Sequence, residues 1–213
     1  MKTTKPWKPE FLPVEEIVGK AAWFRARYAK DGAFPINIEG IVERHLTMSI
    51  DPVPGLRATA RTDAYITTDF RKIKVDFDEY FDERYENRLR FSLAHEVGHY
   101  VLHYNLYKHL SFASVEEYLD IMANIQEEHY RSFEWQANQF AAHLLVPIEA
   151  LLPRVLEEKQ VHEKARGDKS VPRQAAWNVS LISPTISRFF GVSEEVIERR
   201  IQDERLWPYD DKG

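Results

Sequence analysis

Five residues near the middle of the chain, His95-Glu-Val-Gly-His99, have the types and spacing of a metal-dependent hydrolase site. In an α-helix, residues four positions apart share one face, so the imidazoles of His95 and His99 can bind a single ion. Neutral imidazole is a good ligand for zinc. Glu96 follows His95 directly, and its carboxylate can take a proton from a water molecule activated by the ion. The pattern predicts a hydrolase, specifically a metallopeptidase with Glu96 as its general base.

Chance is the alternative explanation for so short a motif, because the chain has 8 histidines and 34 acidic residues. The motif would then lie on a solvated surface helix. The flanking residues favour a half-buried helix instead, since their apolar positions have helical spacing. Charged groups on such a helix cost free energy unless they are paired, and a metal ion would pair with them. The apolar positions are Phe91, Leu93, Ala94, Val97, Val101 and Leu102.

A zinc site with two histidines and an open position needs one more protein ligand. His103 lies on the same helical face, but it is eight residues from His95, or about 12 Å along the axis. Both side chains cannot reach one ion. The extended motif that returns a third histidine after a glycine bend is absent, because Leu102 and Asn105 occupy those positions. His103 is therefore predicted to pack beside the ligands without binding the ion.

Glu134 is the better candidate for the third ligand. The segment 133–147 has the apolar periodicity of an amphipathic helix that ends at Pro147, and Glu134 lies on the apolar stripe. A carboxylate on a buried face requires a partner, which an imidazole-bound ion provides. Asn138, one turn later, is predicted to hold a ligating imidazole. The alternative is that Glu134 is only a charge favoured by the dipole at the start of a helix.

These two motifs together resemble those of the ImmA/IrrE family of bacterial zinc metallopeptidases. The first is Arg90-Phe-Ser-Leu-Ala-His-Glu-Val-Gly-His-Tyr-Val-Leu-His103, and the second is Glu134-x-x-Ala-Asn-x-Phe-Ala-Ala-x-Leu-Leu-x-Pro147. The similarity covers roughly residues 14–150. It implies a short form of the family without an added sensor domain.

The resemblance implies that His95, His99 and Glu134 bind zinc, with manganese as the other candidate metal, and that Glu96 is the catalytic base. Family members often have a second glutamate two residues after the ligand, where this chain has Gln136. That difference leaves the ligand set intact.

The resemblance also implies a protein substrate, since family members cleave a helix-turn-helix transcriptional repressor. Two other functions stay open from the sequence. The protein could bind a repressor through its metal site without cutting it, although an intact Glu96 argues against this. It could also regulate transcription by binding DNA through residues 182–201.

Composition describes an ordinary globular chain of 213 residues, with 44% hydrophobic and 30% charged residues and a net charge of −5. The negative charge gives no overall basic surface for nucleic acid. The absence of cysteine excludes disulfides and thiolate zinc sites. No apolar run of membrane-spanning length and no apolar signal segment occurs, so we expect a cytoplasmic protein without a membrane partner. The oligomeric state cannot be read from the sequence.

The predicted fold class is α+β: a mostly helical, zincin-like core with a small antiparallel sheet and a C-terminal pair of helices resembling a helix-turn-helix. We expect a helix from Pro13 to Tyr28 and a short one from Asn37 to His45. Alternating apolar residues predict strands between residues 46 and 77. The segment 104–132 either packs into the core or covers the substrate. The alternating strand residues are Met48 and Ile50, Ala64 and Ile66, and Ile73 and Val75, and the core residues expected in 104–132 are Tyr118, Ile121, Met122 and Ile125.

Four regions are expected along the chain: a flexible arm (1–12), the metallopeptidase domain (13–156), a polar linker (157–180) and a small helical appendage (181–213). In the appendage, Ser183-Pro184 are predicted to begin a helix that stops at Gly191, and Ser193 to cap the next. The first residues of that second helix are Glu194 and Glu195, which would repel the DNA backbone. We therefore expect a packing or protein-recognition module, and direct DNA binding is not expected.

Overall fold

A computed structural model describes residues 9–112, 114–166 and 175–206. The chain divides into two compact units: residues up to Gly32 with Asn37–Leu144, and Ala33–Ile36 with the chain from Leu145 onward. The helices and strands, in chain order, are α1 (Val14–Tyr28), α2 (Ile38–Arg44), β1 (Ser49–Val53), α3 (Leu56–Ala60), β2 (Ala64–Ile66), β3 (Lys72–Asp76), α4 (Phe77–Phe81), α5 (Glu86–Leu102), α6 (Tyr104–Tyr107), α7 (Val115–Ala123), α8 (Glu127–Leu145), α9 (Ile148–Arg166), α10 (Ala175–Phe190) and α11 (Glu194–Asp203).

The sheet of the first unit confirms the predicted strands but corrects their pairing. Its strand order is β1-β3-β2. β2 pairs with β3 in the antiparallel sense, whereas β1 pairs with β3 in parallel, so the sheet is mixed rather than antiparallel. Parallel neighbours need a long crossover, and the stretch between β1 and β3, which contains α3 and β2, supplies it. The alternation of apolar and polar residues predicts strands, but it does not predict whether two strands pair in parallel or antiparallel.

The three longest helices of the first unit are α1, α5 and α8. Each buries one apolar stripe, as their spacing predicts. Phe24 of α1 contacts Phe140 of α8 edge to face, with 5.9 Å between ring centroids. The predicted starts of α1 and α2 are confirmed: Pro13 precedes α1, and the Asn37 side chain accepts a hydrogen bond from the backbone of Gly40.

The segment 104–132 forms α6, α7 and the start of α8. Of the four residues expected to pack as core, only Tyr118 is buried; Ile121, Met122 and Ile125 are half-buried. The prediction for these three was wrong because α7 ends at Ala123, so its apolar stripe covers only two turns.

The second unit differs from the sequence prediction in two places. Helix α9 extends to Arg166 and so includes residues 157–166, which were expected to be linker; residues 167–174 lie outside the described residues. Helix α10 begins at Ala175, and Pro184 lies inside it rather than at its start. The buried stripe of Val179, Ile182 and Ile186 continues on both sides of the proline and stabilises the helix through it.

The end of α10 and the start of α11 lie where the sequence predicted. Gly191 follows α10 with φ of +63°, a backbone conformation that glycine adopts without strain. Ser193 caps α11 by accepting a hydrogen bond from the backbone of Val196. Within the ranges that the structure describes, no single helix is long and apolar enough to cross a membrane, and only α8 and α9 taken together reach that length and hydropathy.

Candidate metal centre

Three side chains from α5 and α8 direct ligand atoms at one point. Nε2 of His95 lies 3.0 Å from Nε2 of His99. The Glu134 carboxylate lies 3.2 Å from Nε2 of His95 and 3.7 Å from Nε2 of His99. The described residues bring together no other set of three or more potential metal ligands of this kind.

The metal-facing atoms of His95, His99 and Glu134 form a triangle, called the ligand triangle below. Its size fits a tetrahedral zinc site. Ligand atoms at 2.0–2.1 Å from zinc, in tetrahedral directions, are separated by about 3.3 Å. The observed separations lie on either side of that value: 3.0 Å between the two nitrogens, 3.2 Å from Nε2 of His95 to Oε2 of Glu134, and 3.7 Å from Nε2 of His99 to Oε1 of Glu134. The two carboxylate oxygens thus each face one imidazole. Two nitrogens and a carboxylate oxygen are also ligand types that zinc accepts, and a three-residue set leaves one position for water or substrate. These residues therefore fit a catalytic zinc ion.

The close approach of α8 to α5 depends on Gly98. A Cβ atom built on Gly98 would lie 3.1 Å from the backbone oxygen of Ala137 and 3.2 Å from its Cα. It would also lie 3.2 Å from the ring of Phe140. These contacts are tighter than ordinary van der Waals distances, so α8 would have to shift by a few tenths of an ångström to make room for a side chain there. Since Glu134 is on one helix and both histidines are on the other, the width of this contact sets the size of the ligand triangle.

Replacing Gly98 by alanine is therefore expected to weaken both the fold and metal binding. Alanine gains up to about 1 kcal/mol in helix propensity over glycine, but overpacking against backbone costs about 1–3 kcal/mol. We expect a lower melting temperature and a weaker zinc affinity, measured by thermal unfolding and by competition with a chromophoric chelator. Gly19→Ala on α1 is the matched control, because a Cβ there meets no atom within 4 Å. Wild-type stability and affinity in Gly98→Ala would show that this contact does not set the site.

The Glu134 carboxylate controls the charge of the metal-free site. Burial disfavours a charged imidazole at His95, but the hydrogen bond and negative charge of Glu134 outweigh this and raise the pKa of His95 to about 9. Burial and the neighbouring imidazoles lower the pKa of His99 well below its usual value. One proton thus links His95 to Glu134 in the metal-free protein, and an ion bound by these atoms must displace it.

Glu96 faces the same site and is held by the sheet. Its Oε2 accepts a hydrogen bond of 2.8 Å from the backbone N–H of Ile66 on β2. The residue is buried, and burial, with a further contribution from Glu134, raises the pKa of its carboxyl to about 7. A base is most effective when its pKa lies near the working pH. The structure thus places a buried carboxyl group, with a pKa near neutral, beside His95, His99 and Glu134.

A cavity of about 500 Å³ opens over these residues within the first unit. Its walls come from α5, from residues 57–64 (part of α3, the following loop and the first residue of β2), and from the helices between residues 104 and 138. Side chains lining it include His95, Glu96, His99, Glu134, Asn138, Tyr107, Tyr118, Tyr130, Arg57, Arg61 and Arg88. A cavity of this size accommodates several residues of an extended chain.

A comparison with known families decides the class of enzyme. The family model of Peptidase_M78, described as the IrrE N-terminal-like domain, matches residues 82–202, more than half of the chain, and includes both motifs. The chain belongs to this family. It is accordingly a metallopeptidase, which implies a metal ion and a protein substrate. No curated protein gave a significant match to the chain.

In the structure of this metallopeptidase, Asn138 and His103, which were predicted to support the metal site without binding the ion, lie beside the two histidines of the ligand triangle. Nδ1 of His95 lies 3.0 Å from Oδ1 of Asn138, as expected for a side chain that holds the imidazole. His103 points away from the ligand triangle, and its Nδ1 lies 3.0 Å from Nδ1 of His99. Glu134 is the eighth residue of α8 and lies two turns inside it, so the alternative of a helix-terminal charge does not apply.

Two features of the site were missed from the sequence, and a third was only partly anticipated. The N–H of Ile66 that holds Glu96 is a backbone group and leaves no pattern. Tyr107, Tyr118 and Tyr130 line the cavity; the sequence offered segment 104–132 as a possible cover for the substrate but selected none of its tyrosines. Gln136, noted only as a difference from the family pattern, is fully buried beside His103, with 3.2 Å between Oε1 and Nε2. The spacing of apolar residues around Gln136 could have indicated its burial.

Proposed function

We propose that the protein is a zinc-dependent endopeptidase that hydrolyses a peptide bond in a helix-turn-helix transcriptional repressor. The observation that carries the catalytic part is the ligand triangle of His95, His99 and Glu134 with the Glu96 carboxylate beside it. The repressor as substrate is supported by the resemblance to the ImmA/IrrE family. Zinc is proposed over manganese because two of the three ligands are imidazoles, which suit zinc better.

Glu96 acts as the proton carrier in this proposal. A zinc ion held by His95, His99 and Glu134 would supply Lewis acidity, polarising the scissile carbonyl and making water a stronger acid. Glu96 accepts the proton of the attacking water and later donates it to the leaving amine. The hydrogen bond from Ile66 fixes one carboxylate oxygen, which leaves the other free to exchange the proton. Asn138 keeps the proton of His95 on Nδ1, so that Nε2 is free to bind the ion.

The outer edge of β2, the side that does not pair with β3, is proposed to align the substrate. The ladder contacts Asp76 N–H to Asp63 O and Thr67 N–H to Lys72 O show that odd-numbered residues of β2 face β3. By alternation, the backbone of Ala64 and Ile66 faces the opposite side. The N–H of Ile66 is used by Glu96, so the substrate backbone pairs beside Ala64, which also lines the cavity.

Tyrosine hydroxyls on the other wall are proposed to bind substrate oxygens. Burial raises the pKa of Tyr130 to about 12, and raises those of Tyr107 and Tyr118 well above their usual value. All three hydroxyls therefore keep their protons at neutral pH and can donate hydrogen bonds. Donors placed around the reacting carbonyl stabilise the negative charge that develops on its oxygen.

DNA binding is the weaker second candidate. Glu194 and Glu195 are exposed at the start of α11, where a recognition helix would approach phosphates. Two arginines, Arg199 and Arg200, follow these acids on α11. Arg200 is buried, with its Nε donating to the carbonyl of Val146 at 3.2 Å. It cannot contact phosphate without leaving this position. These observations favour a packing or protein-recognition role for α10 and α11.

Incubation with the product of a neighbouring gene tests the proposal. A small helix-turn-helix protein encoded beside this one should be cut into two fragments by the zinc-loaded enzyme, with the cleaved bond identified by mass spectrometry. Chelation should stop the cleavage, and added zinc should restore it.

Stable binding without cleavage, by enzyme shown to contain zinc, would instead support the non-catalytic regulator. If neither binding nor cleavage occurs but unrelated unfolded proteins are cut, the peptidase stands and the repressor is the wrong substrate.

A further inference from the structure

We propose that Gln136 is a positioning residue that, through His103, fixes which nitrogen of His99 carries a proton and so keeps Nε2 free for the metal. The backbone carbonyl of Glu10 anchors this chain of hydrogen bonds. The inference rests on the proposed function in one respect, namely that His99 binds an ion. The hydrogen-bond chain itself does not require the ion, and it can be tested in metal-free protein.

The orientation of the Gln136 amide is the first step. Its Nε2 lies 3.0 Å from the backbone oxygen of Glu10 and 3.2 Å from the hydroxyl of Ser132. A carbonyl oxygen can only accept, so the amide NH₂ must face Glu10. The other end of the amide, Oε1, then faces His103 at 3.2 Å from its Nε2. Gln136 is fully buried, so these contacts are shielded from bulk solvent.

The amide oxygen determines the tautomer of His103. Because Oε1 can only accept, Nε2 of His103 must carry the proton. His103 is 4% exposed, and such burial disfavours a second proton on the ring. Its Nδ1 is then an acceptor. It lies 3.0 Å from Nδ1 of His99, which must donate to it.

This contact places the proton of His99 on Nδ1. Nε2 of His99 therefore presents a lone pair toward His95 and Glu134. An isolated neutral imidazole prefers the opposite form, with the proton on Nε2, where it would block the ion. Phe133 stacks on the His99 ring at 4.1 Å between centroids and holds its plane. Asn138 performs this function for His95 by direct contact, whereas His99 depends on a chain of two side chains.

The experiment compares Gln136→Met with the wild type in the full-length protein. Methionine fills the same space but offers no strong acceptor to His103. In metal-free wild type labelled with ¹⁵N-histidine, long-range ¹H–¹⁵N spectra should show His103 protonated on Nε2 and His99 on Nδ1. In Gln136→Met, His103 and His99 should each lose this single tautomer. Loss of an outer hydrogen-bond partner of a metal ligand weakens metal affinity by about 10–100-fold, and we expect a zinc affinity reduced by that factor.

Ser132→Ala is the matched control on the same helix. It removes the contact between the Gln136 amide nitrogen and the Ser132 hydroxyl. The hydrogen bonds of Gln136 to the Glu10 carbonyl and to His103 remain, so the spectra and the zinc affinity should stay as in wild type. If Gln136→Met does not fold, His103→Phe replaces it, since phenylalanine keeps the ring packing and removes the acceptor for His99. The same loss of the Nδ1-protonated form of His99 is expected there.

Two results would overturn the inference: wild-type spectra with His103 protonated on Nδ1, or a folded Gln136→Met with unchanged His99 tautomer and zinc affinity. Failure of the proposed function gives a different result. In that case wild-type protein would not bind zinc through His99, while the spectra of the metal-free protein would still decide the role of Gln136.

Discussion

Glu96→Gln is expected to bind zinc as the wild type does but to cleave its substrate at a rate lower by about 10²–10⁴-fold, the usual contribution of a positioned proton-transfer group. The amide is nearly isosteric with the carboxyl. Its oxygen can still accept the hydrogen bond from Ile66, so the side chain keeps its place on the sheet. It cannot accept a proton from water at neutral pH. Single-turnover cleavage with metal-replete enzyme measures this loss.

The control for Glu96→Gln is Glu86→Gln at the start of the same helix. The Glu86 side chain is 68% exposed and pairs with Arg90 of the same helix, so its loss should leave the rate unchanged. An undiminished rate in Glu96→Gln, with zinc content verified, would show that another group takes the proton.

Glu134→Ala is expected to lose most of its zinc. The substitution removes one of three proposed protein ligands. Losing a hydrogen-bond partner of a ligand weakens metal affinity by up to about 100-fold, and losing a ligand itself should weaken it by more. Glu134→Gln keeps the shape and should also bind weakly, because a neutral amide oxygen attracts a cation less than a carboxylate does. Zinc affinity from chelator competition, with elemental analysis of the purified protein, gives the result.

Glu128→Ala is the matched control for this ligand, since Glu128 is an exposed acid in the first turn of the same helix. It should retain full zinc affinity. Normal zinc content in Glu134→Ala would remove this carboxylate from the proposed ligand set and require another group to complete it.

The grouping of His95, His99 and Glu134 could be predicted from the sequence because the spacing of residues on a helix is local. The four-residue step between His95 and His99 fixes their shared face whatever the rest of the chain does. Glu134 could be predicted from its own helix in the same way, since an acid on an apolar stripe needs a partner. The distance between α5 and α8 could not be predicted. It depends on Gly98 meeting the backbone of Ala137, and nothing in the spacing of either helix predicts that contact.

The surroundings of the site were less predictable for a related reason. Glu96 is held by a backbone N–H on β2, and only the sheet register shows that Ile66 directs this group outward. The contact between Gln136 and Glu10 joins residues 126 positions apart in the sequence. Such long-range pairs leave no periodic signal. The same limit explains the sheet, whose strands followed from alternation while the parallel pairing of β1 with β3 did not.

The most direct test of the account is anomalous diffraction from crystals of the zinc-loaded protein, recorded above and below the zinc absorption edge. One strong peak that vanishes below the edge is expected. It should lie about 2.0–2.2 Å from Nε2 of His95, Nε2 of His99 and a carboxylate oxygen of Glu134, as zinc requires of such ligands. A peak bound instead by His103, or an occupied site that excludes Glu134, would contradict it.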